Sequence, residues 1–364
     1  MTWKRDFHFG PFGGIVDDVP RPYKPPGDFD DLLNFVVREG RLQTRPNLST
    51  FSDPPDQAIL RVAVSFKDVL QLWHTLFLTT RTAYAITAGP TYNTLTLPGG
   101  ISLGGSTGTG LPYRTANLQG KLFFSNGSCN LVYADGSSAI QATVDVPGTC
   151  RFMAPLASHL LTAYQTEPAP GVVGSQIYPY RVRWSKSGDA TIWTGVSSAG
   201  FNDLLDIPDE ITGLLTLGRN CYVFRTNGIT TIAPIGPAGA PFIFDNQSIS
   251  PKGIGNYYPY SLDSFGSWAA FVAQDDIYIF DGSSFTPIGG GARKKIFSDL
   301  LNNSRDVVQG WIVPGIGIDY PYLSYWLSIP GPNITWVFSR ASGKWQRFSW
   351  GQGWLTCLGQ VFTS

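Results

Sequence analysis

From residue 60 onward one pattern recurs: an apolar strand, a short polar break, a second apolar or aromatic strand, a glycine-bearing turn and a third short strand. Self-similarity of this kind constrains a fold more tightly than composition does. Leu122-Phe123-Phe124 leads to Asn130-Leu131-Val132-Tyr133 and the turn Asp135-Gly136. Arg181-Val182-Arg183-Trp184 runs into Ser187-Gly188 and then Thr191-Ile192-Trp193. Cys221-Tyr222-Val223-Phe224 runs into Asn227-Gly228 and then Ile229-Thr230-Thr231-Ile232. Trp268 to Val272 precedes Ile277-Tyr278-Ile279-Phe280, Asp281-Gly282 and Phe285, and Tyr325-Trp326-Leu327 precedes Thr335-Trp336-Val337-Phe338, Gly343 and Trp345. A weaker copy spans Leu76-Phe77-Leu78 and Ala83-Tyr84-Ala85-Ile86, with Gly89 at its turn.

The turn glycines 89, 136, 188, 228, 282 and 343 are 47, 52, 40, 54 and 61 residues apart, close to the length of a four-stranded propeller blade. Asp-Gly and Asn-Gly between apolar runs are hairpin signals, because both central residues tolerate positive φ. The pattern predicts an all-β chain, a β-propeller of about six blades. A β-sandwich of generic hairpins is the alternative it allows. One segment, Arg293 to Leu301, has apolar residues at 296, 297, 300 and 301 and predicts a short helix capping a blade.

Residue choice agrees. The chain has 364 residues, 41 Gly and 27 Pro, and only three of its 26 acidic residues are Glu (Glu39, Glu167, Glu210). Glu is a helix former, whereas Asp, Gly and Pro set turns. Charged residues make up 14% against about 25% in an ordinary soluble domain, and 26 Lys+Arg balance 26 Asp+Glu. Neutrality argues against tight nucleic-acid binding, which needs a basic excess to release counterions. No run reaches the length of a membrane-spanning helix and the first residues lack a signal-peptide core, so a soluble chain with no membrane partner is expected. Cys129, Cys150, Cys221 and Cys357 match no zinc or redox spacing and read as core thiols of a reducing compartment.

Residues 1–58 differ from the rest. Pro20, Pro22, Pro25 and Pro26 around Arg21 and Lys24, then Pro54 and Pro55, predict an extended arm ahead of a propeller over 59–364. Within the arm, residues 32–42 predict a hairpin turning at Gly40. The cluster Asp28, Asp30, Asp31 reads as a solvated turn, since the Gly and distal Glu of a calcium loop are missing.

The search for chemistry assigns no catalytic, cofactor-binding or metal residue. His8, His74 and His159 lie in no metal or nucleophile-activating motif, and His74 reads as a satisfied wall histidine. Gly104–Gly110 and Gly289–Gly291 lack the Lys-Ser/Thr of a phosphate loop and read as surface loops. The enzymatic rival is a glycoside-binding or glycoside-hydrolysing propeller with two carboxylates at the channel mouth. Ser185 to Trp193 resembles the Asp-box turn of sialidases, but Gly precedes Asp and one extra residue separates Thr from Trp. That turn is a structural device, and three Glu are too few to assemble sialidase chemistry.

Several phrases resemble one family as a set. Asn34 to Leu42 followed by Arg45-Pro46 is similar to the opening of phage-encoded propeller proteins. Arg181-Val182-Arg183-Trp184-Ser185-Lys186-Ser187-Gly188-Asp189 with Trp193 resembles one of their blade hairpins. Ile277-Tyr278-Ile279-Phe280-Asp281-Gly282, preceded by Ile254-Gly255 and Ser264-Phe265-Gly266, resembles another blade. Thr335-Trp336-Val337-Phe338 with Gly343-Lys344-Trp345 resembles their last. The family is the tail nozzle or hub protein of short-tailed bacteriophages, and the chain lacks the long insertions of its larger members.

The resemblance implies a structural virion protein without enzymatic activity or cofactor. It implies a ring homo-oligomer, commonly a hexamer, placed below the portal adaptor among other tail proteins. Such a ring forms part of the DNA-ejection channel, found in the virion tail and, during assembly, in the host cytoplasm. Sparse charge and plentiful aromatics independently favour burial of surface between subunits.

Overall fold

A computed structural model of the chain describes residues 33, 35–38, 41–44, 55–56, 58–86, 91–99, 101, 103, 111–143, 148–168, 175–206, 209–235, 241–245, 253–314, 323–350 and 355–356. It is all-β, with six four-stranded antiparallel sheets arranged as a β-propeller and one short helix.

The hairpin expected in the arm is present, β1 Phe35–Arg38 pairing with β2 Arg41–Thr44. Blade one is β3 Leu60–Lys67, β4 Trp73–Thr79, β5 Ala83–Ile86 and β6 Tyr92–Thr94. Blade two is β7 Arg114–Leu118, β8 Lys121–Ser125, β9 Val132–Ala134 and β10 Gln141–Ala142. Blade three is β11 Thr149–Leu156, β12 His159–Pro168, β13 Ser175–Trp184 and β14 Gly200–Asp203. Blade four is β15 Ile211–Leu217, β16 Asn220–Arg225, β17 Ile229–Pro234 and β18 Phe242–Asp245. Blade five is β19 Asp263–Phe265, β20 Trp268–Val272, β21 Ile277–Phe280 and β22 Phe285–Pro287. The helix α1 Arg293–Leu300 leads to blade six, β23 Gln309–Val313, β24 Ser324–Ile329, β25 Ile334–Ser339 and β26 Lys344–Ser349.

Every blade pairs its strands in chain order, so each is a simple meander. First strands of successive blades touch from β7 through β23, which makes them the inner ring. Middle strands carry the apolar runs because a blade is covered on both faces, and β20, β24 and β25 are buried throughout. The cores lie between blades. Leu78, Phe124 and Val132 join blades one and two, and Phe152, Val182 and Val223 join three and four. Trp268, Ile296 and Trp336 join five and six through α1, where Asp299 Oδ2 accepts the Trp336 indole N–H at 2.9 Å.

At the seam between blades six and one, the apolar residues of the described chain form two separate clusters, one around Trp326 and Phe348 and one around Phe77 and Tyr84. Leu355 and Thr356 bridge it. Ser328 Oγ donates to the Leu355 carbonyl at 2.9 Å, and Thr356 Oγ1 donates to the Leu60 carbonyl at 2.8 Å. Closure therefore does not use a blade shared between the two chain termini, since blade six is built from four consecutive strands. The arm meets the same region through a bridge between Leu33 and Arg347 on β26.

Three details differ from the sequence expectation. Gly136, Gly188, Gly282 and Gly343 lie between third and fourth strands, but Gly228 lies between the second and third, which accounts for the uneven spacing around it. In the Asp-Gly turns only the glycine is left-handed, Gly136 at φ 90° and Gly282 at 94°. The aspartate works instead as an acceptor, Asp281 Oδ1 taking the N–H groups of Ser283 and Ser284 at 2.8 and 2.7 Å. Thr191-Ile192-Trp193 is not a strand; the fourth strand of blade three is β14. Asp189 Oδ1 accepts the Thr191 N–H and hydroxyl at 3.1 and 2.7 Å, which closes this turn, while Trp193 is buried.

Blade three also carries a compact charge cluster. Glu167, only 3% exposed, accepts two bonds from Arg183 at 3.0 and 2.8 Å and one from Arg181 at 3.1 Å. Arg181 reaches Asp203 with two further bonds and lies 3.9 and 4.1 Å from the Tyr178 and Phe201 ring centres. Removing one partner of such a buried pair leaves an uncompensated charge. Glu167→Ala is expected to cost about 3 kcal/mol, read as a lower urea midpoint at unchanged slope; an unmoved midpoint would show that the cluster is not stabilising.

Candidate functional site

Enzymatic and binding sites of propellers are sought first where the inner strands converge. Here that position is filled by the protein itself. Tyr258 to Leu262, including one turn of 3-10 helix over Pro259–Ser261, enters the ring just before blade five. Tyr260 packs on Phe152 of blade three with ring centres 6.0 Å apart and lies 5.3 Å from the Arg114 guanidinium of blade two. The Ser261 carbonyl accepts the Tyr325 hydroxyl of blade six at 2.7 Å, and Leu262 fits over Gly213 of blade four. A segment in contact with blades two, three, four and six at once can lie only on the axis.

The backbone and amide groups of the plug are tied by hydrogen bonds, as burial requires, while the buried Tyr260 hydroxyl has no partner within bonding geometry. Asn256, fully buried, donates Nδ2–H to the carbonyls of Thr212 at 3.0 Å and Pro259 at 3.3 Å, and its Oδ1 accepts the Ser261 hydroxyl at 3.1 Å. Ser261 Oγ in turn accepts the Val272 N–H at 3.0 Å, and Arg114 Nη2 donates to the Pro259 carbonyl at 3.2 Å. Gly213 and Gly310, on inner strands β15 and β23, leave the room: a Cβ on Gly310 would collide with the Ser261 carbonyl and the Tyr325 hydroxyl.

Charged groups meet over the plug. Asp306, in the loop after α1, pairs with Arg151 of β11, which joins blade six to blade three across the axis. The Arg151 guanidinium also lies 4.8 Å from the Tyr164 ring centre and 5.6 Å from that of Tyr260. Arg305 binds Glu210 at 3.2 Å and donates Nε–H to the Tyr257 carbonyl at 2.7 Å. Below, Asp263 Oδ2 accepts the Ile312 N–H at 2.7 Å. Burial raises the Asp263 pKa, against the pull of that N–H and of Arg114, and burial lowers the Arg114 pKa. Beside the plug a partly open cavity of about 240 Å³ remains, lined by Arg114, Thr115, Leu262, Asp263 and residues of β11 and β15. Among the described residues, Asp306, Glu210 and Asp263 at this mouth are each engaged by a cation or an N–H.

Other sequence candidates fall as follows. His74 Nε2 lies 2.9 Å from Asp68 Oδ2, and His159 Nδ1 lies 2.7 Å from the Ser185 carbonyl, so both are satisfied where they stand. Burial pushes the Cys129 thiol up to about 11 and the Cys150 and Cys221 thiols up to about 12, the behaviour of inert core thiols. Gly289–Gly291 leads through a turn of 3-10 helix over Gly290–Ala292 into α1, with Gly290 exposed. Asp276 Oδ1 accepts the Gly289 N–H at 3.0 Å. His8, Cys357, Gly89, the Asp28–Asp31 cluster and Gly104–Gly110 lie outside the described residues. Among the described residues no group of three or more His, Cys, Asp or Glu is placed to hold a metal ion.

A second concavity flanks α1, an open cleft of about 1220 Å³. Tyr257, Phe297 and Leu301 supply apolar wall, and Asp275, Asp276, Arg293 and Lys294 supply charge of both signs. Sequence reasoning missed both places. The one local signal was Asn256-Tyr257-Tyr258-Pro259-Tyr260, three tyrosines around a proline between blades.

Fold and axis together define the chain as a six-bladed β-propeller with a self-filled centre. No protein-family model matches it, and no curated protein sequence matches it. Among solved structures it is similar to YCF48 bound to D1 peptide, at 12% identity and TM-score 0.41, covering 82% of this chain and 83% of that one. A quinonprotein alcohol dehydrogenase-like protein from Bacteroides thetaiotaomicron gives 12% identity and TM-score 0.39, with 76% of this chain spanning 62% of that one. The N-terminal domain of Nup159 gives 11% and 0.38 over 79% and 75%. Likeness at this level carries nothing about function.

Gly310→Ala tests the plug. It is expected to cost about 2 kcal/mol by overpacking, with faster amide exchange at residues 256–262. Unchanged stability and exchange would mean the axis has slack.

Proposed function

We propose that this chain is a structural protein of a short-tailed phage tail, a nozzle or hub subunit that assembles with copies of itself into a ring. The observation that carries the reading is where the resembling phrases fall. Arg181–Asp189, Ile277–Gly282 and Thr335–Trp345 occupy β13, β21 and β25 with the turns that follow them. That is one structural slot in blades three, five and six, as a shared blade repeat requires.

The filled axis shapes the role. Among the described residues, Tyr260, Arg114 and the Arg151–Asp306 pair occupy the centre of the propeller. A DNA conduit built from this chain therefore runs between copies, bounded by their outer surfaces, and the neutral balance of charge suits a wall that DNA slides past. In the ring, the arm reaches a neighbouring copy or the portal adaptor. Deleting residues 1–30 is expected to abolish the ring in light scattering while the circular dichroism of the propeller is kept; normal rings from the truncated chain would refute the role given to the arm.

The cleft beside α1 favours a second reading, a glycoside-binding propeller, because Tyr257 and Phe297 line it beside Asp275 and Arg293. On that reading oligosaccharides bind in calorimetry and Tyr257→Ala weakens them at least tenfold. No heat from any neutral or acidic oligosaccharide would remove it.

A further inference from the structure

The cavity beside the plug lies where the inner strands β7, β11, β15 and β19 meet, and the only charged residues lining it are Arg114 and Asp263. They stand on different blades, Arg114 on β7 of blade two and Asp263 on β19 of blade five. Among the described residues neither forms an ion pair, with the other or with any third group. Burial nevertheless disfavours both charges, lowering the Arg114 pKa and raising that of Asp263. The nearby Arg151 does not relieve Asp263, because it is already paired with Asp306.

Both groups are held in place. Arg114 Nη2 donates to the Pro259 carbonyl at 3.2 Å, and the guanidinium lies 5.3 Å from the Tyr260 ring centre. Its other N–H groups bond to no described residue and none is sealed from solvent, so they open on the cavity. Asp263 Oδ2 accepts the Ile312 N–H at 2.7 Å, which fixes the carboxylate against blade six. The walls are fixed as well. Thr216 Oγ1 donates to the Pro155 carbonyl and ties β15 to β11, and Leu262 packs into the space that Gly213 leaves open.

Size and charge together select a ligand. A volume of about 240 Å³ lies below the roughly 300 Å³ at which pockets for drug-sized molecules begin, so an oligosaccharide is too large. A small anion would satisfy Arg114 but be repelled by Asp263, and a small cation would meet the reverse. A molecule carrying both a carboxylate and an ammonium meets each wall with the opposite charge and adds no net charge to the site. Its hydrogen bonds would be charge-assisted on both sides and made in a partly desolvated pocket, where they are strongest. The strands β11 and β15 are each the inner edge of a sheet, so backbone groups unused within their own blades are at hand for the remaining polar atoms.

We propose that this pocket binds a small zwitterion, an α-amino acid with its carboxylate on Arg114 and its ammonium on Asp263. The site is separate from the cleft beside α1 and does not depend on assembly of copies.

Glycine and L-alanine titrated into the purified full chain are expected to bind saturably, one per chain, in calorimetry. Acetate and methylammonium, with one charge each, are expected to bind about tenfold more weakly or worse. Asp263→Asn keeps an oxygen for the Ile312 N–H, so circular dichroism is expected to be unchanged. In that variant glycine binding weakens about tenfold while acetate binding tightens, because the carboxylate that repels acetate is gone. No saturable binding of glycine or L-alanine by the unsubstituted chain would overturn the proposal. Acetate binding as tightly as glycine would overturn it in favour of a plain anion site. Glycine binding unchanged in folded D263N would overturn it by placing the ligand elsewhere.

Discussion

The hydrogen bonds of Asn256 and Ser261 on the propeller axis are the constraint on which the rest of the structure depends. Blades held only by neighbour contacts leave their inner strands facing a water-filled hole, with backbone groups and apolar side chains to satisfy there. Asn256, Tyr260 and Ser261 replace that hole with a packed, bonded segment that touches four other blades. The choice fits the way the circle closes. With no strand shared between the first and last blades, the seam is bridged by Leu355 and Thr356, and cohesion across the axis adds what the seam does not supply.

The same economy appears in the charges. A chain only 14% charged places several of them inward. Glu167 fixes the arginines of β13, Glu210 holds Arg305, and Asp306 holds Arg151 over the plug. Of these, only the Glu167 pairs are buried, whereas Glu210, Arg305 and Asp306 stay 34%, 31% and 40% exposed; a buried pair contributes little net stability but selects one geometry, because each partner is costly when left alone. Here it selects the register of blade three. The sparse charge that first served to set aside nucleic-acid binding thus has a second aspect, an outer surface where apolar side chains such as Leu70, Ile235 and Ile243 remain exposed.

The blades were legible in the sequence because a strand covered on both faces must be apolar along its length, and β20, β24 and β25 read that way without structural help. Turn glycines were legible for a similar reason, since Gly136, Gly282 and Gly343 need positive φ. Gly228 misled because Asn-Gly marks a hairpin without saying which of a blade's three hairpins it is. The axis was not legible. Arg151 and Asp306 are 155 residues apart, Arg114 and Pro259 are 145 apart, and no local periodicity records a contact made through tertiary closure. The turn at Val69 to Trp73 reads as a continuing strand; only Asp68, whose carboxylate gathers the turn, distinguishes it.

The proposed role as a building block rests on the fold, the filled centre and the exposed apolar side chains, with any passage lying between copies. Electron cryomicroscopy of the purified full chain tests this most directly. The account predicts a closed ring of copies around an open lumen, each propeller showing continuous density on its own axis at Tyr260. Isolated propellers, or a ring whose propellers are open along their own axes, would contradict it.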